Sequence, residues 1–191
     1  DYFSSVVKIN GFNAPFITTR TNASIDLEKL DRALGLQAYD LKGIFDLKLN
    51  ADGQFAVGQN PKRIRRDIVI TSFPSFNLNA SLKNGYLKYN SLTQPLQQVS
   101  FNAMLSCPDH DYLHTSASID NIDIRALSSH ITGFLRVKNI DNFPVEANLD
   151  MNVRLSELVQ FLPLDSISLN GLLTMKLTSS GNWQAEKNEF P

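Results

Sequence analysis

The chain has 191 residues, 42% of them apolar and 19% charged, with a formal net charge of −1; that near-neutral balance excludes an electrostatic case for nucleic acid or an anionic membrane surface. A single cysteine, Cys107, excludes an internal disulfide, and no run approaches ~18 consecutive apolar residues, which excludes a membrane-spanning helix. The opening residues Asp1-Tyr2-Phe3-Ser4 carry neither an initiator methionine nor a signal peptide, and we expect the chain to be cut from something longer.

In chain order, Leu27, Leu30 and Leu34 sit at i, i+3 and i+7, with Asp26 placed to cap the start and Gly35 just past the end. A short helix is predicted there, with its leucines docked on a sheet. Leu41, Gly43, Phe45, Leu47 and Leu49 then alternate with polar residues, the pattern of a half-buried strand. Residues 56–72 are expected to form a loop. Its basic run, Lys62, Arg63, Arg65 and Arg66, reads as a solvated surface in preference to a lipid-headgroup or phosphate site. Two further alternating strands follow, one through Phe76, Leu78, Ala80 and Leu82 and one through Val99, Phe101, Ala103 and Leu105.

Cys107-Pro108-Asp109-His110-Asp111-Tyr112-Leu113-His114 is the one cluster with metal-ligand and nucleophile chemistry in it. Its flanks alternate as strands and Pro108 interrupts it, so it reads as a hairpin turn. The next strand is expected through Leu113, Thr115, Ala117 and Ile119. His130 stands beside Ser128 and Ser129 with no acid near it in sequence, which leaves a Ser–His pair without its orienting group. Ala147, Leu149, Met151 and Val153 form another alternating strand. Leu155, Leu158 and Leu162 repeat the helical stripe, stopped by Pro163, and Leu169, Gly171, Leu173, Met175 and Leu177 make a last strand. Roughly nine or ten strands of this length are predicted. No Gly-rich phosphate loop, paired-cysteine zinc pattern or His-Glu-x-x-His occurs, so no catalytic residues, metal or cofactor are expected.

The chain also repeats itself. Leu27, Leu30, Leu34, Gly43, Leu49 and Gly53 return as Leu155, Leu158, Leu162, Gly171, Leu177 and Gly181, each at an offset of 128 (155 − 27, 181 − 53), and Phe55 returns as Trp183. The organisation this implies is residues 1–72 as the second half of a preceding β-repeat unit with a variable loop, and residues 73–191 as one unit and the start of the next. The apolar strand faces can then be used in two ways: sealed in a β-sandwich that serves as a scaffold or interaction module, or left open on a curved sheet that accepts acyl chains.

The string Phe73-Pro74-Ser75-Phe76, continuing to Leu82-Lys83-Asn84-Gly85-Tyr86-Leu87-Lys88-Tyr89, resembles the AsmA-like family of bacterial envelope proteins, especially its Bacteroidetes members. So does Phe143-Pro144-Val145-Glu146-Ala147 followed by Leu155, Leu158, Phe161-Leu162-Pro163-Leu164 and Leu169-Asn170-Gly171-Leu172-Leu173. The family is related to bridge-like lipid-transfer proteins. The resemblance implies a mainly β fold: a curved, twisted antiparallel sheet forming a repeating groove, with two short helices. It also implies a non-enzymatic periplasmic segment, held at the inner membrane by a part of the parent absent from this chain. That segment would serve outer-membrane biogenesis by binding or conducting phospholipid or another acyl-chain lipid, and could meet envelope protein partners. The groove candidates are Leu41, Phe45, Leu47, Leu149, Met151, Leu169, Leu173 and Met175.

Overall fold

The structure is a computed structural model that describes residues 1–59, 68–90, 94–140, 143–158 and 169–182, with backbone only at Leu158 and Asn182. Its elements are β1 (Tyr2–Asn10), β2 (Phe16–Asp26), α1 (Leu27–Leu34), β3 (Tyr39–Gln54), β4 (Ala56–Gln59), β5 (Ile68–Ser72), β6 (Ser75–Tyr89), β7 (Leu96–Cys107), β8 (Ser116–Ala126), β9 (Ser129–Val137), β10 (Pro144–Arg154), α2 (Leu155–Leu158) and β11 (Leu172–Asn182). Nine strands make one antiparallel sheet in the order β1-β2-β3-β6-β7-β8-β9-β10-β11. The fold is thus mainly β with two short helices, as the alternation predicts, and the sheet is not closed.

Every strand in this sheet is hydrogen-bonded to its predecessor in the sheet order, and each direction reverses at a turn. One end of the sheet therefore carries α1, the turn Leu127-Ser128 and α2. The other carries the β1–β2 turn, the β4–β5 hairpin and the 108–115 turn. The predicted loop at 56–72 is partly this hairpin, with Val57 opposite Ile70 and Gly58 opposite Val69. The basic run Lys62, Arg63, Arg65 and Arg66 lies outside the described residues, as do Leu162, Pro163 and Trp183.

Helix α1 begins as its sequence dictates. The Asp26 carboxylate accepts the amides of Glu28 and Lys29, and Gly35 closes the helix in the left-handed region at φ 63°, donating its amide to Asp31. Docking is weaker than the leucine stripe suggests. Leu27 and Leu30 are half-buried, but Leu34, the last helical residue before the Gly35 cap, is 63% exposed.

The repeat is built into the ladders. β1 pairs with β2 from Tyr2 opposite Ser24 to Asn10 opposite Phe16, and β2 with β3 from Phe16 opposite Gln54 to Asp26 opposite Ile44. β9 pairs with β10 with His130 opposite Asn152, and β10 with β11 from Pro144 opposite Asn182 to Arg154 opposite Leu172. Each of these pairs is displaced by 128 from its counterpart (130 − 2, 152 − 24, 182 − 54, 172 − 44). Residues 2–54 and 130–182 thus share strand order, the position of the helix and pairing register. The sheet runs unbroken between them, β3 pairing with β6 through thirteen residue pairs.

A register slip of one residue would throw every leucine onto the opposite face, so alternation fixes the pairing wherever one face is apolar throughout. The structure departs from strict alternation at bulges, between Lys42 and Ile44 on β3 and between Ile119 and Ile122 on β8. It also departs at Tyr112–His114, where a strand start was expected. Asp111 accepts the Leu113 amide at 3.0 Å and folds these residues into a single 3-10 turn, so β8 begins only at Ser116.

Candidate functional site

Directly paired residues in a sheet share a face, so the ladders define what each face carries. One row can be followed across all nine strands: Phe3, Ala23, Leu47, Ala80, Ala103, Ile119, Leu135, Ala147 and Ser179. A second row runs Leu49, Leu78, Leu105, Ala117, Val137 and Val145. On the other side of the first, Ile25, Phe45, Leu82 and Phe101 stand opposite one another. The first row is low at its alanines and lies between taller neighbours. Eight inter-strand steps of ~4.8 Å make the surface ~38 Å wide.

Among the described residues no second layer covers this face. Its buried apolar side chains are only Ala23, Cys107, Ala126, Ala147 and Val153, where a sealed sandwich would bury whole leucines and phenylalanines. Ile119, Leu135, Leu173 and Leu177 are instead 40%, 38%, 43% and 39% exposed. The closed two-sheet sandwich weighed from sequence is therefore not what forms.

The sequence candidates fall into two groups on β3 and β10–β11. Phe45 lies opposite Ile25 and Leu82, and Leu47 opposite Ala23 and Ala80. Leu149 lies between Gly133 and Leu177, and Met151 between Ile131 and Met175. Leu173 pairs with Val153. Leu41 pairs with Leu87 on the far side of the β3 bulge, and Leu169 precedes β11; both are half-buried. Five steps separate β3 from β10, so these groups are ~24 Å apart. What joins them is Leu78, Leu82, Phe101, Leu105, Ile119 and Leu135. Their alternation was visible in sequence, but only the order of strands shows that they bridge the two groups.

The opposite face is polar. Ser24 donates to Asp46 at 2.6 Å, Thr18 to Asp52 at 2.9 Å and Arg136 to Asp120 at 2.8 Å, and Lys176 sits 3.4 Å from Asp150. The Ser24 hydrogen bond, with the Lys83 ammonium, holds the Asp46 carboxyl below the usual range against the opposing effect of desolvation. Two hollows of about 370 and 730 Å³ lie on this side. Asn22, Asp46, Asn79 and Asn102 border the first, and Arg20, Asn50, Asp52 and Asn77 the second. The apolar face, by contrast, is left open among the described residues.

The remaining candidates resolve as structure. Cys107 is fully buried, directs its thiol to the Asp111 carbonyl at 3.1 Å and lies opposite Phe76. The Ser75 amide donates to His110 Nδ1 at 3.2 Å, and His114 Nδ1 meets Asp109 Oδ2 at 2.6 Å, so each histidine fastens the turn. Phe73 packs edge-on against Phe55, Phe76 and Tyr112, with centroids 6.2, 6.0 and 6.4 Å away, and closes that end of the apolar face. An acid does reach Ser128 and Ser129. Glu157 accepts from the Ser128 hydroxyl, from its amide at 3.1 Å and from the Ser129 hydroxyl at 2.8 Å. The carboxylate bonds the serines directly, which pins α2 to the β8–β9 turn and is not the relay a Ser–His nucleophile needs. Among the described residues there is no cluster of three metal-ligating side chains and no helix long and apolar enough to cross a membrane.

Comparison of the chain with protein-family models, curated proteins and solved structures gives no match.

Proposed function

We propose that this chain is a lipid-handling segment whose apolar face holds hydrocarbon tails, within the periplasmic part of an AsmA-like protein that serves outer-membrane biogenesis. The observation that supports it most is the row from Phe3 to Ala147, apolar on eight successive strands and uncovered among the described residues. A water-exposed apolar surface of that extent is a liability unless something occupies it. Burial of each methylene is worth about 0.8 kcal/mol, so a tail gains affinity along its length without any single anchoring contact. Among the described residues the face offers it no ion pair or metal-ligating cluster, so a bound chain can shift by a row at little cost. The sequence resemblance supplies the compartment: the parent is held at the inner membrane, and phospholipid is the cargo. The reading assigns no catalysis.

Native mass spectrometry of the protein purified from bacterial cells tests this directly. Phospholipid masses bound to the intact chain are expected, together with saturable binding of a fluorescent fatty acid. Leu78→Lys with Leu105→Lys, an adjacent pair at the centre of the face, should weaken fatty-acid binding by about tenfold or more. A wild-type chain that carries no lipid and binds no fatty acid defeats the reading, and leaves the open sheet as a surface for proteins alone.

A further inference from the structure

The exact repetition of register says what belongs on an edge that is bare among the described residues. In the first copy β3 is covered by β6, with Phe45 opposite Leu82, Leu47 opposite Ala80 and Leu49 opposite Leu78. β11 is the counterpart of β3, displaced by 128 residues, and among the described residues it pairs with β10 alone. We propose that the free edge of β11 is a docking site for an antiparallel strand of β6 chemistry. Such a strand alternates Phe, Leu, Ala and Leu and ends in a Lys-Asn-Gly bulge. Leu173, Met175 and Leu177 would face its leucine, alanine and leucine.

A second observation points to the same occupant. Gly43 takes a φ of 118°, and a Cβ there would lie 2.8 Å from the Gly85 Cα and 2.9 Å from the Lys83 carbonyl, so the bulge of β6 seats against a bare backbone. Gly171 takes a φ of 120°, yet among the described residues nothing lies within 4 Å of where its Cβ would be. The second copy keeps the backbone shape and the clearance for a bulge that no described strand supplies. Strand addition at a sheet edge draws affinity from main-chain hydrogen bonds and specificity from alternate side chains, and both are presented here. The same correspondence matches β1 to β9 and assigns the free edge of β1 to a strand of β8 chemistry.

The test uses the full 191-residue chain and two synthetic peptides, residues 73–90 and residues 116–126, read by hydrogen exchange. The first peptide should bind saturably and slow exchange in β11, while the second should slow it in β1. Gly171→Val should weaken the first peptide about tenfold or more by filling the clearance, and leave the second unchanged. Protection of β1 by the first peptide, or of neither edge, overturns the proposal. So does equal binding of the 73–90 peptide in reversed order, an arm that holds even if Gly171→Val disturbs β11.

Discussion

At the helix corner of the first copy, the Asp26 amide donates to Asp1 Oδ1 at 2.7 Å, and Lys29 Nζ lies 3.2 Å from Asp1 Oδ2 and 3.4 Å from Asp26. At the same corner of the second copy, the Arg154 amide donates to Ser129 Oγ at 3.0 Å, the Ser129 hydroxyl donates to Glu157 at 2.8 Å, and Arg154 lies 3.8 Å from Glu157. The three positions correspond at 128 (129 − 1, 154 − 26, 157 − 29). The clip has been kept and its charges exchanged: an acid-then-base pair at i, i+3 in one copy is a base-then-acid pair in the other. Such a corner is specified as geometry, a residue at the strand start joined to two at the strand–helix junction, and several chemistries satisfy it. The strands leave no such latitude. Their register is shared residue for residue, because a slip would turn the apolar face over.

The comparison breaks most readily at Gly133. Its φ is 141°, and a Cβ there would lie 2.0 Å from the Asn148 carbonyl oxygen. The corresponding residue of the first copy is Ser5, whose hydroxyl bonds Thr21 at 2.8 Å. Gly133→Val should therefore cost about 2–3 kcal/mol in urea unfolding, whereas Ser5→Val should change little; equal effects would deny that the approach of β10 to Gly133 is a constraint on β9 that Ser5 escapes in β1.

A smaller effect is expected at Glu157. The Ser128 hydroxyl bond lowers its pKa against the opposing desolvation, with help from Ser129, the Ser128 amide and Arg154. A depressed folded-state pKa means that stability is present above the unfolded value and is lost as pH falls through the folded one. Glu157→Gln should lower the melting temperature at neutral pH and remove part of its decline below the normal glutamate range. A parallel decline in both proteins would contradict the assignment.

The mildest test exchanges the clips. Lys29→Glu alone sets three acids together with Asp1 and Asp26 and should lower the melting temperature slightly. Adding Asp1→Ser and Asp26→Arg copies the second corner into the first and should recover most of that loss, the shortfall being the Asp26 helix cap. A triple variant worse than the single one would show that the two corners are not interchangeable.

Alternation made the strands legible, and the spacing of Leu27, Gly43 and Gly53 from their later partners made the repeat legible, because both are local or strictly periodic signals. Openness was not legible. The run Phe76, Leu78, Ala80 and Leu82 reads the same whether a second sheet covers it or nothing does. The grip of Glu157 on Ser128 and Ser129 spans 28 or 29 residues and exists only because β9 and β10 lie side by side. The central part of the candidate site was hidden for the same reason. Leu105, Ile119 and Leu135 belong with Leu47 and Leu149 only once the order of strands is known.

The sheet order has a mechanical consequence. Both outermost strands are the first and last of the described chain, and each is hydrogen-bonded on one side to its neighbour in sequence. Tension applied through the two ends would load each border strand across its ladder, so bonds would fail one after another, as in unzipping. The molecule should lengthen at low force in a series of small steps, one hairpin at a time, without the single high peak of sheared strands. A structure held together by nearest neighbours can thus lose its margins and keep its middle.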